Sequence, residues 1–134
     1  MAKDIIDRGL LGDILHFRGR YLQESGRRAT ERLAAHPGGR GALLGLGSHV
    51  IDMARFLVGE ITALMGMLPD LRALTMVEFA NGAHGTLEAN SHCPGNKNRH
   101  SWEIHGTNGS LGHLVGMLAF DQGATVLGLP AFLR

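Results

Sequence analysis

The sequence predicts one α+β domain in which helices cover one face of a mostly antiparallel open sheet. Two observations predict this class. A single strong helical stripe lies in the first half of the chain, and short alternating segments separated by turn residues fill most of the second half. Strands that follow one crossing helix favour helices on one face, so the opposite face needs a partner or solvent. With 134 residues, the chain is long enough to bury one core.

Two helices are predicted from apolar residues at helical spacing. The first covers residues 3–11, where Gly9 and Gly12 interrupt the pattern near its end. The second covers residues 42–58 and stops at Gly59. Its stripe consists of Leu43, Leu46, Val50, Met53, Ala54, Leu57 and Val58. This second helix is expected to be buried along that stripe.

Five strands are predicted from alternation and from the turn residues between them. They cover residues 13–23, 61–67, 71–79, 84–92 and 101–105. Asn81-Gly82 predicts a tight turn at 80–83, so the third and fourth strands should form a hairpin. The polar stretch 24–41 is predicted to be a loop that flanks a site, since long loops inside compact domains are usually functional.

Composition excludes several classes of protein. Thirteen Lys and Arg face twelve Asp and Glu, and a net charge of +1 gives no broad positive field for nucleic acid. The single cysteine, Cys93, predicts no intrachain disulfide and a cytoplasmic protein. The N-terminus is charged and amphipathic, unlike a signal peptide, and no apolar run approaches the ~20 residues that span a bilayer. We therefore expect no nucleic-acid or membrane partner.

Two motifs could indicate a cofactor site or a metal site. Gly41, Gly45 and Gly47 suggest a dinucleotide loop, but no strand leads into them and no third glycine sits at position 50, so packing glycines are favoured. His84 and His92 share a strand face, yet eight residues separate them, which is too far to share one zinc ion. We expect no metal site, and no cofactor bound by this chain alone.

The segment around His49 carries the strongest chemical signal. His49 and Asp52 lie three apart near the start of the second helix and can share a face. An imidazole is suited to general acid/base work near neutral pH, and a carboxylate can orient it. From spacing alone a satisfied core histidine is the favoured interpretation, with Asp52 contacting solvent or a loop.

Several segments of the sequence resemble those of a known protein family. Residues 38–60, G-G-R-G-A-L-L-G-L-G-S-H-V-I-D-M-A-R-F-L-V-G-E, look like the signature helix of the glucose–fructose oxidoreductase and inositol dehydrogenase family, Gfo/Idh/MocA. Residues 5–14, 77–89, 95–98 and 102–111 resemble further family segments in the family's order. The resemblance covers most of residues 3–111. It implies a C-terminal oxidoreductase domain over 1–111, followed by a divergent Gly-rich apolar tail over 112–134.

The resemblance also implies site residues. Family members have an N-terminal Rossmann domain and a Glu-Lys-Pro lysine that this chain lacks, and their counterpart of His49 contacts substrate and transfers a proton. An aspartate commonly sits one turn earlier, where this chain has Gly45. Further candidates for substrate binding are Asp52, Lys97, Tyr21 and Gln23, with a solvated loop cation and structural side chains as the alternatives. The segment between Glu60 and Asp70 is shorter than is usual in the family.

Together these features predict the substrate-side domain of an NAD- or NADP-dependent oxidoreductase acting on a sugar, polyol or related carbonyl. We expect it to be inactive alone and to work beside a separate nucleotide-binding domain; whether the chain is itself an enzyme stays open. The alternative is a non-catalytic oligomerisation or small-ligand-binding domain. A homo-oligomer through the open sheet face is expected. The rows predicted to make that contact are Ala73, Thr75, Val77 and Phe79, and Gly85, Leu87 and Ala89.

Overall fold

The fold is taken from a computed structural model of the chain. It describes residues 1–24, 31, 35, 41–69, 71–114, 117–122 and 125–128. The helical elements are α1 (Ala2–Asp7), a π-helical turn (Leu43–Gly47) and α2 (Ser48–Leu57). The strands are β1 (Ile14–Leu22), β2 (Ile61–Met67), β3 (Arg72–Phe79), β4 (His84–Asn90), β5 (Arg99–Gly106), β6 (Ser110–Leu114), β7 (Met117–Gln122) and β8 (Thr125–Gly128). The predicted loop 24–41 lies mostly outside the described residues.

The strands form one eight-stranded sheet with the order β2-β3-β4-β1-β5-β6-β7-β8. Its centre is the pair β1 and β4, which run parallel, whereas every other neighbouring pair is antiparallel. The helices contact one face of this sheet. The predicted class, α+β with a mostly antiparallel open sheet and helices on one face, is confirmed. No helix among the described residues is long and apolar enough to cross a membrane.

The β3–β4 hairpin forms at the predicted turn. The Gly82 N–H donates to the Phe79 carbonyl at 2.9 Å, and the Phe79 N–H donates to the Ala83 carbonyl at 2.9 Å. Gly82 has φ +84°, the left-handed conformation that glycine adopts without steric cost. The Asn81 side chain accepts the Ala83 N–H, so the two residues that identified the turn are the ones that close it.

The core lies between the helices and one face of the sheet. Alternate residues of the central strands point toward α2, and the fully buried Phe17, Phe79 and Ile104 lie on that face. From α2, Val50 and Ala54 pack against them. Each large apolar side chain buried in this way contributes about 1.5–3 kcal/mol relative to exposure. This packing fixes the position of α2 over β1.

Gly19 sets how closely α2 approaches β1. A Cβ atom added at Gly19 would lie 2.7 Å from the Val50 Cγ1 and 2.9 Å from the Phe17 Cε1. Atoms of a packed core cannot approach that closely, so only glycine allows Val50 to sit directly on the central strand. The helix that carries His49 is thereby seated against the sheet.

The rows predicted to form the oligomer contact lie on the face that the helices cover and not on the open face. Ala73, Val77 and Phe79 are buried, as are Gly85, Leu87 and Ala89, and Thr75 is half-buried, because α2 and the π-helical turn of the same chain cover them. The exposed row of β3 is the alternate one, which includes Leu74, Met76 and Glu78. Alternation with a period of two identifies two rows of side chains on a strand. The helix of the same chain covers the more apolar row.

Element bounds differ from the predictions in three places. Helix α1 ends at Asp7, because Gly9 has φ +69° and cannot continue a right-handed helix. The second helix is interrupted by a π-helical turn at Leu43–Gly47, which follows helical residues 41–42 and leads into α2 at Ser48. The predicted tail 112–134 contains the end of β6 together with β7 and β8, so the sheet continues beyond the predicted domain boundary.

Gly12 and Gly9 provide a matched test of the link between α1 and the sheet. Both have φ +69°, but a Cβ at Gly9 meets nothing within 4 Å, whereas one at Gly12 meets the Thr107 Oγ1 at 2.1 Å. That hydroxyl accepts the Asp13 N–H. We expect Gly9→Ala to lower the free energy of unfolding by about 1–2 kcal/mol through backbone strain alone. Gly12→Ala should cost about 1 kcal/mol more, because Thr107 must move and its hydrogen bond is lost. Urea unfolding followed by tryptophan fluorescence measures both, and equal losses would contradict the Thr107 contact.

Candidate functional site

His49 lies at the start of α2, directly after the π-helical turn. A Cβ added at Gly47 would lie 3.0 Å from the Leu43 Cδ1 and 3.6 Å from the Ala89 Cβ, so this turn rests closely on β4. The Ser48 hydroxyl donates to the Leu44 carbonyl at 2.9 Å. Single π-helical turns in α-helices are frequent at functional sites. The His49 imidazole is exposed and therefore available to a ligand.

Tyr21 links His49 to the sheet. It lies near the end of β1, and its ring centroid is 5.8 Å from that of His49 and 5.1 Å from that of His100. Its hydroxyl donates to the Asn98 Oδ1 at 2.5 Å. Tyr21 thus contacts the helix, strand β5 and the turn before β5. The structure brings together His49 and Tyr21, two of the predicted site residues, within one cluster.

Lys97 lies in the turn that Tyr21 anchors. Its neighbour Asn98 has φ +73°, an uncommon conformation that asparagine tolerates better than most residues. On the other side, the Asn96 amide donates to the Cys93 carbonyl at 3.3 Å. The Lys97 backbone is therefore held next to the cluster, while its side chain is exposed.

Gln23 and Asp52 are placed less directly. Gln23 is half-buried two residues after Tyr21, and its backbone N–H and carbonyl bond to Asn90 and Cys93. Asp52 is exposed one helical turn after His49 and interacts electrostatically with Arg55. The structure thus places Asp52 beside a charged group of α2. Substrate contacts of both residues stay predictions.

Two histidines of the site were missed by the sequence analysis. His100 and His113 face the same side of the sheet as Tyr21, and the His113 ring stacks on Trp102 with centroids 5.7 Å apart. The His100 Nε2 and the His113 Nδ1 are buried and have no hydrogen-bond partner among the described residues. Buried polar atoms are normally paired, so these nitrogens are free to bond an incoming polar group. The sequence signal that could have identified His100 is the alternation of His100, Trp102 and Ile104 along β5, which puts His100 on the core face.

Electrostatics in the cluster favour the neutral form of His100. Burial lowers the pKa of His100 below its ordinary value of about 6.5, and the nearby His113 and His49 lower it further. A neutral histidine has one donor and one acceptor nitrogen, the pair of functions that binds a hydroxyl group. The cluster is therefore suited to polyhydroxylated ligands at neutral pH.

Gly45 lies one turn before His49. It is exposed, and a Cβ added there meets nothing within 4 Å. A larger side chain would fit, so the carboxylate that the resemblance implies at this position is missing through the residue type and not through lack of space. General acid/base chemistry at this site falls to the imidazoles.

The described residues do not form a dinucleotide-binding loop. Leu43–Gly47 is helical and packed on the sheet, and Gly47 contacts Leu43 and Ala89, as a packing glycine does. A phosphate loop needs free backbone N–H groups after a strand. Residues 43–47 therefore lack the geometry of a phosphate-binding loop.

Metal binding finds no support in the described part of the chain, where no group of three or more His, Cys, Asp or Glu side chains could hold an ion. His84 is exposed on β4, and His92 lies beyond the strand, where its backbone forms an isolated bridge with Glu24.

The lowered pKa of His100 predicts acid sensitivity. Because the folded state disfavours the proton, the unfolded state binds more protons as pH falls below about 6.5, and stability should fall between pH 7 and the lowered folded pKa. His16 has a pKa lowered first by burial and then by His105, and it adds to the same trend. We expect His100→Leu to flatten the pH dependence of urea unfolding between pH 7.5 and 5.5. The exposed His92→Gln is the matched control. An unchanged slope in His100→Leu would contradict the assignment.

Comparisons with known proteins agree on one family. The GFO/IDH/MocA C-terminal domain matches residues 1–112. A levoglucosan dehydrogenase of Pseudarthrobacter phenanthrenivorans is 35% identical over 146 aligned residues, covering 83% of this chain and 37% of that protein. The scyllo-inositol 2-dehydrogenase (NAD(+)) of Bacillus subtilis is 32% identical, covering 94% and 38%. The chain thus spans less than half the length of the curated relatives it matches.

Solved structures show the same relationship. A levoglucosan dehydrogenase in complex with NADH and levoglucosan superposes with a TM-score of 0.86 at 32% identity, covering 97% of this chain and 43% of that one. An inositol dehydrogenase homologue from Azotobacter vinelandii, in complex with NADH and myo-inositol, gives a TM-score of 0.82 at 22% identity, which supports the fold alone. The resemblance found in the sequence is confirmed: the chain belongs to the Gfo/Idh/MocA family, of which it contains the C-terminal domain.

Proposed function

We propose that this chain is the substrate-side domain of an NAD(P)-dependent oxidoreductase that acts on a sugar, a polyol or a related carbonyl. The observation that carries the proposal is the cluster of Tyr21, His49 and His100, in which an exposed imidazole lies beside half-buried hydroxyl and imidazole groups. The named relatives are levoglucosan and inositol dehydrogenases, and those proteins act on polyhydroxylated rings. We place the protein in the cytoplasm, in line with its single cysteine.

The chain's own part in the reaction is binding, orientation and proton transfer. The His49 imidazole accepts the hydroxyl proton as an alcohol is oxidised, or returns it as a carbonyl is reduced. Tyr21 holds the His49 ring in place, and the centroids of the two rings are 5.8 Å apart. The unpaired nitrogens of His100 and His113 bond further hydroxyl groups of the ligand. Lys97, Gln23 and Asp52 are proposed to line the rim.

The nicotinamide nucleotide, NAD or NADP, supplies hydride chemistry when bound. Since residues 43–47 lack the geometry of a phosphate-binding loop, we propose that a separate nucleotide-binding domain or subunit holds the nucleotide. The chain alone is accordingly proposed to bind no cofactor and to be inactive.

A second candidate is a non-catalytic ligand-binding or oligomerisation domain derived from the family. The observation that favours it is Gly45, which leaves open space where the resemblance implies a carboxylate. Such a domain would keep the fold and the hydroxyl-binding cluster while the proton-transfer set is incomplete.

Ligand binding to the isolated chain tests the first proposal. Titration with millimolar myo-inositol or levoglucosan, followed by ¹H–¹⁵N NMR, should shift the signals of Tyr21, His49 and His100 but not those of α1. His49→Ala should weaken these shifts at least threefold, because it removes one hydrogen-bonding group from the ligand. The control is His92→Ala, which alters an exposed histidine beyond the end of β4.

Two outcomes would revise the proposal. If neither polyol shifts the cluster, an oligomerisation domain without a sugar site is the better account. If NADH fluorescence instead reports micromolar binding to this chain, the glycine-rich segment has been misinterpreted and the chain carries its own cofactor site.

We also propose that the open sheet face is an oligomer contact. The exposed apolar side chains Met65, Met67 and Met76 lie on that face beside Arg18 and Arg20 of β1. Both arginines pair with Glu103 at 3.9 Å. They line a groove of about 580 Å³ together with the methionines. An exposed apolar strip next to charges is typical of an interaction surface.

Light scattering at micromolar concentration measures the contact. We expect a dimer or a larger oligomer, and Met76→Lys should lower the average mass, because its charge would be buried between two faces. Met76 is 60% exposed, so the single chain should tolerate the lysine. A monomeric wild-type chain would contradict the proposal.

A further inference from the structure

Strand β2 is an edge strand with unusual composition. It occupies one end of the strand order, so one side of its backbone has no neighbouring strand in the described sheet. Its sequence is I-T-A-L-M-G-M, and of strands β1 to β6 it alone contains no ionisable side chain. Proteins usually protect such edges with charges, prolines or a covering segment, since free N–H and C=O groups attract another strand. From Ala63 onward β2 pairs regularly with β3 and is not interrupted by a bulge.

The side chains of β2 are exposed on both faces of the sheet. Leu64 is 70% exposed, Met65 68% and Met67 66%. Leu64 pairs with the buried Val77 and so points to the helix face, whereas Met65 pairs with the exposed Met76 and points to the open face. A partner that covers only the open face would therefore leave Leu64 in water.

Three surface grooves converge on this strand. One of about 580 Å³ contains Met65, Gly66 and Met67 on the open face. A second, of about 330 Å³, contains Ala63 and Met65. The third, of about 460 Å³, lies on the helix face and contains Leu64 and Gly66. An added strand whose side chains alternate between faces would fill grooves on both sides at once.

We propose that β2 pairs antiparallel with β2 of a second copy of this chain, so that two sheets join edge to edge across a two-fold axis. A second copy is the occupant because it supplies an uncharged strand whose side chains are apolar on both faces, which is the chemistry that these grooves require. The pairing is isologous, as two-fold symmetry demands, and it uses backbone N–H and C=O groups of β2 that have no neighbouring strand in the described sheet.

Gly66 sets the register of the pair. A Cβ there would lie 2.5 Å from the Leu74 carbonyl oxygen, so position 66 carries no side chain, and Gly66 borders two of the grooves. Centring the two-fold axis on Met65 puts Leu64 of each copy opposite Gly66 of the other. Each leucine then lies beside the helix-face groove that Gly66 borders, and the two Met65 residues lie directly opposite each other.

Disulfide trapping tests the contact in the full chain, with Cys93→Ser removing the native thiol. Directly opposed Met65→Cys residues would have Cα atoms about 4.5–5.5 Å apart, within disulfide range. The matched control is Met76→Cys, on the same face and in register with Met65 but one strand inward. In an edge-paired dimer its two copies lie about 14 Å apart, three strand spacings, which excludes a bond. Under mild oxidation we expect at least tenfold more covalent dimer from Met65→Cys than from Met76→Cys.

Charge substitutions give a second readout that separates this contact from the open-face contact. Met65→Lys opposes two ammonium groups across the edge pair and should weaken its dimerisation at least tenfold by light scattering, whereas Met76→Lys should leave an edge-paired dimer. Circular dichroism checks that both variants fold. Cross-linking of Met76→Cys equal to that of Met65→Cys, or no cross-linking of Met65→Cys, overturns the edge pairing. A wild-type dimer that Met76→Lys converts to monomer, whatever the effect of Met65→Lys, overturns it as well and leaves the open-face proposal standing.

Discussion

The seating of α2 on β1 is the contact on which the rest of the molecule depends. Val50 lies directly over Gly19, and α2 packs on β1 and β4 while the π-helical turn before it contacts β3 and β4. Because α2 cannot shift without losing this packing, its first turn stays against Tyr21. The geometry of the proposed site is thus a by-product of core packing, and mutations deep in the core should act on the site through the helix.

Much of the fold could be predicted from the sequence, because helical and strand periodicities are local properties. The stripe from Leu43 to Val58 and the Asn81-Gly82 turn are examples, and both correspond to observed elements. Which row of β3 becomes buried depends instead on where α2 of the same chain docks, so the prediction chose the row that the helix covers. The parallel pairing of β1 with β4 also lacks a local signal, since the partners are far apart in the chain.

The candidate site was predictable only in part. His49 was found through a resemblance, and Tyr21 through its place at a strand end, and the structure puts them in contact. His100 and His113 were missed because histidines in an alternating strand are ordinarily assigned to the polar face. Here they lie on the core face next to Trp102, and burial lowers the pKa of His100. Polar groups in such a place are costly unless a ligand or partner satisfies them, which is why they indicate function more strongly than exposed histidines do.

The parallel pair at the centre of the sheet has a consequence for how the chain folds. His16 of β1 lies opposite His84 of β4, and β5 pairs with the other side of β1. Strand β1 is therefore synthesised before both of its neighbours and has no partner strand until β4 and β5 have emerged. Contacts between such distant segments give a high contact order and folding in milliseconds to seconds, slower than for helical domains of similar size. During that interval the uncharged strand β2 can already form a hairpin with β3. The edge most prone to self-association therefore exists before the sheet that anchors it.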